Sequence, residues 1–244
     1  MVTIYETLKE CLAAEKPVAV ATLVAGEGPV GAKLLVRPDA PALGGLGDAT
    51  LDEAVARDAM ELLARAESEV RAYTTPAGEV QVFLETYPPP PTLFIVGAVH
   101  IAIPLVTFGK TLGFRTVVVD ARGAFATPER FAHADELIHA WPDEVLPGRL
   151  NSNSMVVLLT HDPKLDDPAL KVALPSPARY VGALGSPRTH ARRLERLRAE
   201  GVPEEQLARL HAPIGLKIGG RTPEEIAVSI IAEIVAARHG LTGR

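Results

Sequence analysis

Four consecutive prolines, Pro88 to Pro91, restrict most strongly how this chain of 244 residues can fold. Proline fixes φ and has no N–H to donate, so such a run continues neither a helix nor an inner strand and forms a stiff, extended connector. We therefore predict a first domain over residues 1–87, a linker over 88–91 and a second domain over 92–244. A hydrophobic content of 47% is enough for a core in each.

The segment before the prolines predicts a small α+β domain. Apolar residues recur at helical spacing near the N-terminus, at Ile4, Leu8, Cys11 and Leu12. Thr50 and Glu53 fit a capping box that opens a second, longer helix. Strands are predicted over residues 18–24, 33–37, 69–75 and 79–86.

The segment after the prolines alternates strands with helices. Strands are predicted over residues 92–96, 115–119, 136–140, 155–160 and 179–183, and helices over 99–112 and 223–239. Such alternation predicts an α/β fold, a Rossmann-like, doubly wound parallel sheet. In that architecture ligands bind beyond the carboxyl ends of the strands.

Composition excludes several classes of protein. Cys11 is the lone cysteine, so neither an internal disulfide nor a cysteine-based metal site is expected. No apolar run approaches the roughly 18 residues of a membrane span, and the first residues are charged where a signal peptide would be apolar. We expect a soluble, cytoplasmic protein. Six arginines against one glutamate between Arg179 and Arg198 suit a small anion better than a nucleic acid.

The most informative segment is Tyr180 to Arg193. Gly182 and Gly185 form a turn that lets the backbone approach a ligand, Ser186 fits a helix N-cap, and Pro187 fits the first helical position. Arg188, Arg192 and Arg193 add charge, and His190 lies just inside the helix. These features predict an anion site, for a phosphate above all. The alternative is an ordinary capped turn followed by a solvated, arginine-rich helix face.

Polar residues also follow the other predicted strands. After the first strand, Gly97 and His100 stand in an incomplete dinucleotide-binding pattern, in which Val99 replaces the second glycine and argues against standard NAD binding. Asp120 lies 23 residues beyond Gly97, near the spacing of a ribose-binding carboxylate, and Arg122 follows it. A plain turn residue is the alternative for Asp120.

The later strand ends carry Thr160, His161, Asp162, His211 and Gly219. The first three offer a hydroxyl, an imidazole and a carboxylate for a polar ligand. Together with Asp166 and Asp167 they could also form a metal site, but the sequence has no second histidine at ligand spacing, which disfavours this hypothesis. An Asp-Pro turn capping the next helix is the alternative for Asp162. Gly219 belongs to a glycine loop before a second capping box, Thr222 with Glu225.

No nucleophile stands out: the sequence has no G-x-S-x-G elbow, no Walker A loop and no zinc-ligand pair. The residues themselves predict a polar crevice for an anionic pterin- or nucleotide-like molecule. They do not identify a reaction. The candidate binding residues are Gly97, His100, Asp120, Arg122, Thr160, His161, Asp162, Gly182, Gly185, Ser186, Arg188, His190, His211 and Gly219.

Five blocks of the second domain resemble the XdhC/CoxI family. They are Gly97 to His100, Asp120 to Phe131, Thr160 to Asp162, Tyr180 to Arg193 and His211 to Ala227. The first domain is similar as well, through Leu35 to Asp39 and the segment from Gly44 to Glu53.

This resemblance implies an accessory protein for molybdenum hydroxylases such as xanthine dehydrogenase or carbon monoxide dehydrogenase. It implies that the chain binds the molybdenum cofactor (molybdopterin), protects it and delivers it to the hydroxylase apoenzyme. The implied further partners are a cysteine desulfurase and a second copy of the chain in a homodimer. The chain is then a cofactor-binding chaperone rather than a catalyst. An NAD(P)-dependent Rossmann oxidoreductase and a nucleotide-sensing regulatory module are the alternatives.

Three positions depart from the family pattern. Leu46 stands where many members have a cysteine, which places the chain nearer the cysteine-free, CoxI-like branch. Val99 replaces a glycine, and Lys217 stands where an aspartate is common. The last two changes bear on the choice of ligand.

Overall fold

The computed structural model describes residues 3–241. The chain divides into two compact units, Met1–Pro89 and Pro90–Arg244, and the division falls within the four prolines. No helix of the described residues is long and apolar enough to cross a membrane.

The first unit is an antiparallel sheet with two helices. Its elements are α1 (Ile4–Ala13), β1 (Val18–Gly26), β2 (Lys33–Arg37), β3 (Ala40–Gly44), α2 (Ala49–Arg65), β4 (Glu69–Thr75) and β5 (Gly78–Tyr87). The strands lie in the order β3-β2-β1-β5-β4. Residues Leu51, Val55, Ala59 and Leu62, three to four positions apart, bury one face of α2 against the sheet.

Two details of this unit differ from the sequence predictions. Strand β3 was not predicted, because Pro41 and Gly44 give it the composition of a turn. The predicted cap of α2 at Thr50 is wrong: Asp48 caps the helix, and its Oδ1 accepts a hydrogen bond from Leu51 N at 2.8 Å. Leu46, at the position of the family's cysteine, is 1% exposed and packs in the core.

The second unit alternates strands and helices. Its strands are β6 (Thr92–Val96), β7 (Arg115–Val119), β8 (Glu136–Ile138), β9 (Ser154–Leu158), β10 (Tyr180–Ala183) and β11 (Leu210–His211). Its longer helices are α3 (Ala102–Thr111), α6 (Pro163–Ala173), α7 (Pro187–Ala199) and α9 (Pro223–Arg238). One-turn helices α4 (Pro128–Phe131), α5 (Pro142–Val145) and α8 (Glu204–Leu207) lie between them.

The six strands form one parallel sheet in the order β11-β10-β9-β6-β7-β8. Strands β7 and β9 are buried along almost their whole length, as strands covered on both faces are. Helices α3 and α9 pack on one face of the sheet, and α6 and α7 on the other. The predicted fold class is confirmed. The order reverses at β6, so the switch point lies between β6 and β9.

Candidate functional site

The switch point brings Gly97 against Thr160. Gly97 follows β6 with φ +105°, and a Cβ on it would lie 2.4 Å from Thr160 Cγ2. Only glycine combines that backbone conformation with so close an approach. Thr160, which is buried after β9, therefore lies directly beside the first strand end, as the sequence predicted for a shared strand edge.

Asp120 follows β7 and is fully buried. Its Oδ1 accepts from Arg122 N and Nε, both at 2.9 Å, and its Oδ2 accepts from Ala98 N and Arg122 Nη2, both at 2.8 Å. Burial by itself raises the pKa of Asp120, but Arg122 and the two backbone N–H groups outweigh it and hold the pKa below its usual value. Both carboxylate oxygens of Asp120 therefore accept hydrogen bonds from within the protein. Arg122 is the partly exposed member of the pair.

A buried polar chain runs from Thr160 to helix α7. Thr160 Oγ1 donates to Asp166 Oδ1 in α6, and Asp166 Oδ2 accepts from Arg193 Nη2 at 3.0 Å. Burial raises the pKa of Asp166, and the hydroxyl and the guanidinium counteract that rise. Asp167, its neighbour, accepts two hydrogen bonds from Arg196. Both acids therefore pair with arginines of α7.

The glycine turn ends as the sequence predicted, with Ser186 as N-cap and Pro187 in the first helical position of α7. Ser186 Oγ accepts from Thr189 N at 3.1 Å. Among the described residues, the backbone N–H groups of Gly185, Ser186 and Arg188 have no acceptor. Three N–H donors and the positive end of a 13-residue helix therefore meet at the end of β10.

His211, in β11, belongs to a second network on the other face of the sheet. Its Nδ1 lies 3.3 Å from Glu233 Oε1, and since an ionised carboxylate only accepts, Nδ1 is the donor. Glu233 Oε2 accepts from Tyr180 Oη at 2.6 Å and from Gly215 N at 2.7 Å. Burial raises the pKa of Glu233, but these three donors outweigh it and keep the pKa below its usual value.

Gly182 makes room for this network. His211 pairs with Gly182 across the two strands, and its ring lies 4.5 Å from the Tyr180 ring. A Cβ on Gly182 would lie 2.7 Å from Tyr180 Oη and 2.6 Å from Ile214 Cδ1. The first glycine of the turn therefore serves packing, whereas Gly185 lies among the free N–H groups.

The remaining predicted residues lie at or near the surface. His100, His161, Arg188 and Gly219 are exposed, and His190 is partly buried in α7. Asp162 caps α6 through a hydrogen bond from Lys164 N at 3.0 Å, which is the capping alternative considered for it. No group of three or more histidine, cysteine or carboxylate side chains with the geometry of a metal site occurs between residues 3 and 241.

Sequence reasoning missed Glu233, and it considered Asp166 only for a metal and Arg193 only as a charge beside the turn. Arg193 was counted among the charges after the turn but is 1% exposed. A usable signal existed for Arg193, because it lies four residues before Leu197, on the buried stripe of α7.

The strand order and the strand-end turns define a Rossmann-type binding domain, preceded by an α+β unit. A model of the XdhC Rossmann domain matches residues 93–234, and a model of the XdhC and CoxI family matches residues 11–74. The chain belongs to the XdhC/CoxI family, and the predicted relationship is confirmed.

The proteins that are similar to the chain include two curated relatives and one solved structure. A protein of Bacillus subtilis named as a probable xanthine dehydrogenase subunit is 34% identical over 64% of this chain and 46% of its own length. The molybdenum cofactor insertion chaperone PaoD of Escherichia coli is 34% identical over 37% of this chain and 28% of its own. The chain thus spans less than half the length of these curated relatives.

The solved structure is a crystal structure named as a xanthine dehydrogenase from Bacillus halodurans. It has a TM-score of 0.55 and 21% identity, covering 98% of this chain and 96% of that one. At that identity the similarity concerns the fold.

Proposed function

We propose that this chain is a maturation factor for a molybdenum hydroxylase, which binds the molybdenum cofactor at the strand ends of the second unit and delivers it to the apoenzyme. Membership of the XdhC/CoxI family and similarity to a chaperone named for molybdenum cofactor insertion support this role. The cofactor is here the cargo of the protein.

The observation that carries the proposal is the turn at the start of α7. The molybdenum cofactor ends in a phosphate, and Gly185, Ser186 and Arg188 present three N–H donors without acceptors at a helix N-terminus. The exposed Arg188 side chain adds a charge there. In this proposal Ser186 contributes its N–H, because its hydroxyl already caps the helix.

The pterin needs polar partners of a different kind. His211 offers its Nε2, since Glu233 holds Nδ1 and fixes the ring. Arg122 offers the guanidinium N–H groups that Asp120 does not use. Direct binding of a ribose by Asp120 is the weaker hypothesis, because both of its carboxylate oxygens already accept hydrogen bonds from groups of the protein. This weakens the NAD(P)-dependent alternative.

We assign recognition of the apoenzyme or of a cysteine desulfurase to the first unit. Residues 1–87 carry 14 acidic and 7 basic residues, so that this region favours a basic partner surface. The buried Leu46 supplies no thiol, and Cys11 is buried, so we propose no sulfur relay through either position. Association of two copies is part of the proposal and is testable by light scattering.

The test is to purify the chain from a host that makes molybdenum cofactor and to measure bound molybdenum and the fluorescence of the oxidised pterin. The expected result is one pterin per site, and transfer that activates an apo-hydroxylase. An NAD(P) titration runs in parallel. Tight NAD(P) binding without pterin would refute the maturation role and favour the oxidoreductase.

A further inference from the structure

Arg193 has hydrogen-bonding capacity that the fold does not use. It is 1% exposed, and its Nη2 donates to Asp166 Oδ2 and to Leu184 O, each at 3.0 Å. Its Nε and Nη1 are also buried, and neither has an acceptor among the described residues. A buried donor without an acceptor costs about 1–3 kcal/mol, so two on one guanidinium call for a functional explanation.

The unused Nη1 lies close to the glycine turn. It is 3.7 Å from the position that a Cβ would take on Gly185. Thr189 and Arg193 are four residues apart on α7, and both face Gly185. The buried guanidinium therefore lies beside the turn at which the N–H groups of Gly185, Ser186 and Arg188 lack acceptors.

The two sets of donors require an acceptor that is small, anionic and rich in oxygen. Three backbone N–H groups can hold one side of such a group, and Nη1, the unused nitrogen on the side of the glycine turn, presents further N–H donors. The Nε–H group lies on the opposite edge of the guanidinium, which it shares with Nη2. A group that touches a buried nitrogen must itself be largely enclosed, so it has room for one covalent connection to the rest of its molecule. A terminal phosphate, with three unsubstituted oxygens, meets both conditions, whereas a phosphodiester has two such oxygens and two connections.

We propose that the turn from Leu184 to Ser186 and the buried Arg193 form a site selective for terminal phosphate monoesters. The site distinguishes a cofactor that ends in a phosphate from a dinucleotide form, whose phosphates are bridged. This site deepens the proposed function. Only the identity of the group attached to the phosphate rests on that function.

The experiment is an NMR titration of the full, ¹⁵N-labelled chain with phenyl phosphate, diphenyl phosphate and inorganic phosphate. Phenyl phosphate is expected to shift the amide signals of Gly185, Ser186 and Arg188 and the guanidinium Nη–H signals of Arg193, with a single saturation curve. Inorganic phosphate is expected to shift the same signals. Diphenyl phosphate is expected to bind at least about tenfold more weakly, because it loses a charge and a charge-assisted hydrogen bond.

Two variants with a matched control complete the design. Arg193→Gln is expected to weaken phenyl phosphate binding about tenfold or more, and Arg193→Lys, which keeps the charge but not the fork, by an intermediate factor. Arg192→Gln, at the exposed neighbouring position, is expected to leave affinity within about twofold. If Arg193→Gln does not fold, because Asp166 loses its partner, the wild-type titration and Arg193→Lys decide.

Arg193 Nη–H signals that respond to neither phenyl phosphate nor inorganic phosphate overturn the proposal, as does equal affinity for the diester. This outcome is separate from failure of the maturation role. Monoester binding with no pterin on the purified protein refutes the role and leaves the site, whereas bound pterin with a silent Arg193 refutes the site and leaves the role.

Discussion

The contact between Gly97 and Thr160 predicts a strong energetic coupling at the switch point. Replacing Gly97 by alanine places a Cβ 2.4 Å from Thr160 Cγ2, at a backbone with φ +105°. The backbone conformation itself costs an L-residue about 1–2 kcal/mol. Insertion of a methyl group into a closed contact costs about 1–3 kcal/mol more. We therefore expect Gly97→Ala to lower the free energy of unfolding by about 3 kcal/mol.

Thr160→Ser separates these two contributions, because it removes Cγ2 and keeps the hydroxyl that donates to Asp166. As a single change it should cost about 1 kcal/mol for the lost methyl group. In the double variant the collision disappears and the backbone cost stays. The double variant should then be more stable than the sum of the single effects predicts, by at least about 1 kcal/mol.

Urea denaturation of the four proteins, followed by circular dichroism, measures this double-mutant cycle. Gly113→Ala is the matched control, since Gly113 has φ +79° and open space where its Cβ would stand, so only the backbone cost of about 1–2 kcal/mol applies. Additive effects at Gly97 and Thr160, within about 0.5 kcal/mol, would show that the two residues do not touch as described.

Three further predictions concern the caps and the carboxylates. Ser186→Ala should destabilise the fold by about 1 kcal/mol through loss of the α7 cap, while phenyl phosphate affinity should change less than in Arg193→Gln. Calorimetry measures both quantities, and a larger affinity loss in Ser186→Ala than in Arg193→Gln would contradict the capping role given to the Ser186 hydroxyl. The pKa of Asp135 is lowered to about 2, first by Lys110 and then by Thr116 N, so its contribution to the free energy of unfolding is complete above pH 4 and is lost as pH falls towards 2. Asp135→Asn should lack that loss in urea unfolding measured from pH 2 to 6, and an unchanged pH profile would count against the ion pair. The pKa of Glu233 is also lowered, so its stabilising contribution is present above its ordinary pKa of 4.5 and is lost as pH falls below it. Glu233→Gln should flatten the acidic limb of the same curve, and an equally steep limb would argue that the Glu233 carboxyl does not stabilise the fold as an ionised acceptor.

The sequence predicted the second unit well, because its strands are short apolar runs separated by clear helix signals. The bounds of β6 and β7 agree with the prediction residue for residue, and α9 begins with the predicted capping box of Thr222 and Glu225. Strand β11 was missed because two residues carry no periodicity, and its pairing with β10 is a tertiary effect. Strand β3 was missed for a different reason: its proline and glycine outweigh its apolar residues.

For the site, the sequence predicted where the strands end, but not which hydrogen bonds the side chains at those ends make. Parallel strands end at one edge, so Gly97 and Thr160 could be predicted to lie together. Arg122 lies two residues from Asp120, so their pairing is local, whereas the hydrogen bond from Ala98 N joins two loops that are 22 residues apart and that no local pattern predicts. Arg193 was indistinguishable by composition from its exposed neighbour Arg192. Its helical spacing from Leu197 indicates burial, but its pairing with Asp166 depends on the packing of α7 against α6.

The buried pair of Asp166 and Arg193 has an evolutionary consequence. Removal of one partner of a buried ion pair destabilises the fold by about 3–5 kcal/mol, so selection acts against a change of one residue while the other stays. Across family members the two positions should therefore covary: chains without an acid at position 166 should also lack the arginine at 193. Lineages that have exchanged the pair for apolar residues should be those that accept ligands without a terminal phosphate, and a family tree would then record a change of cargo.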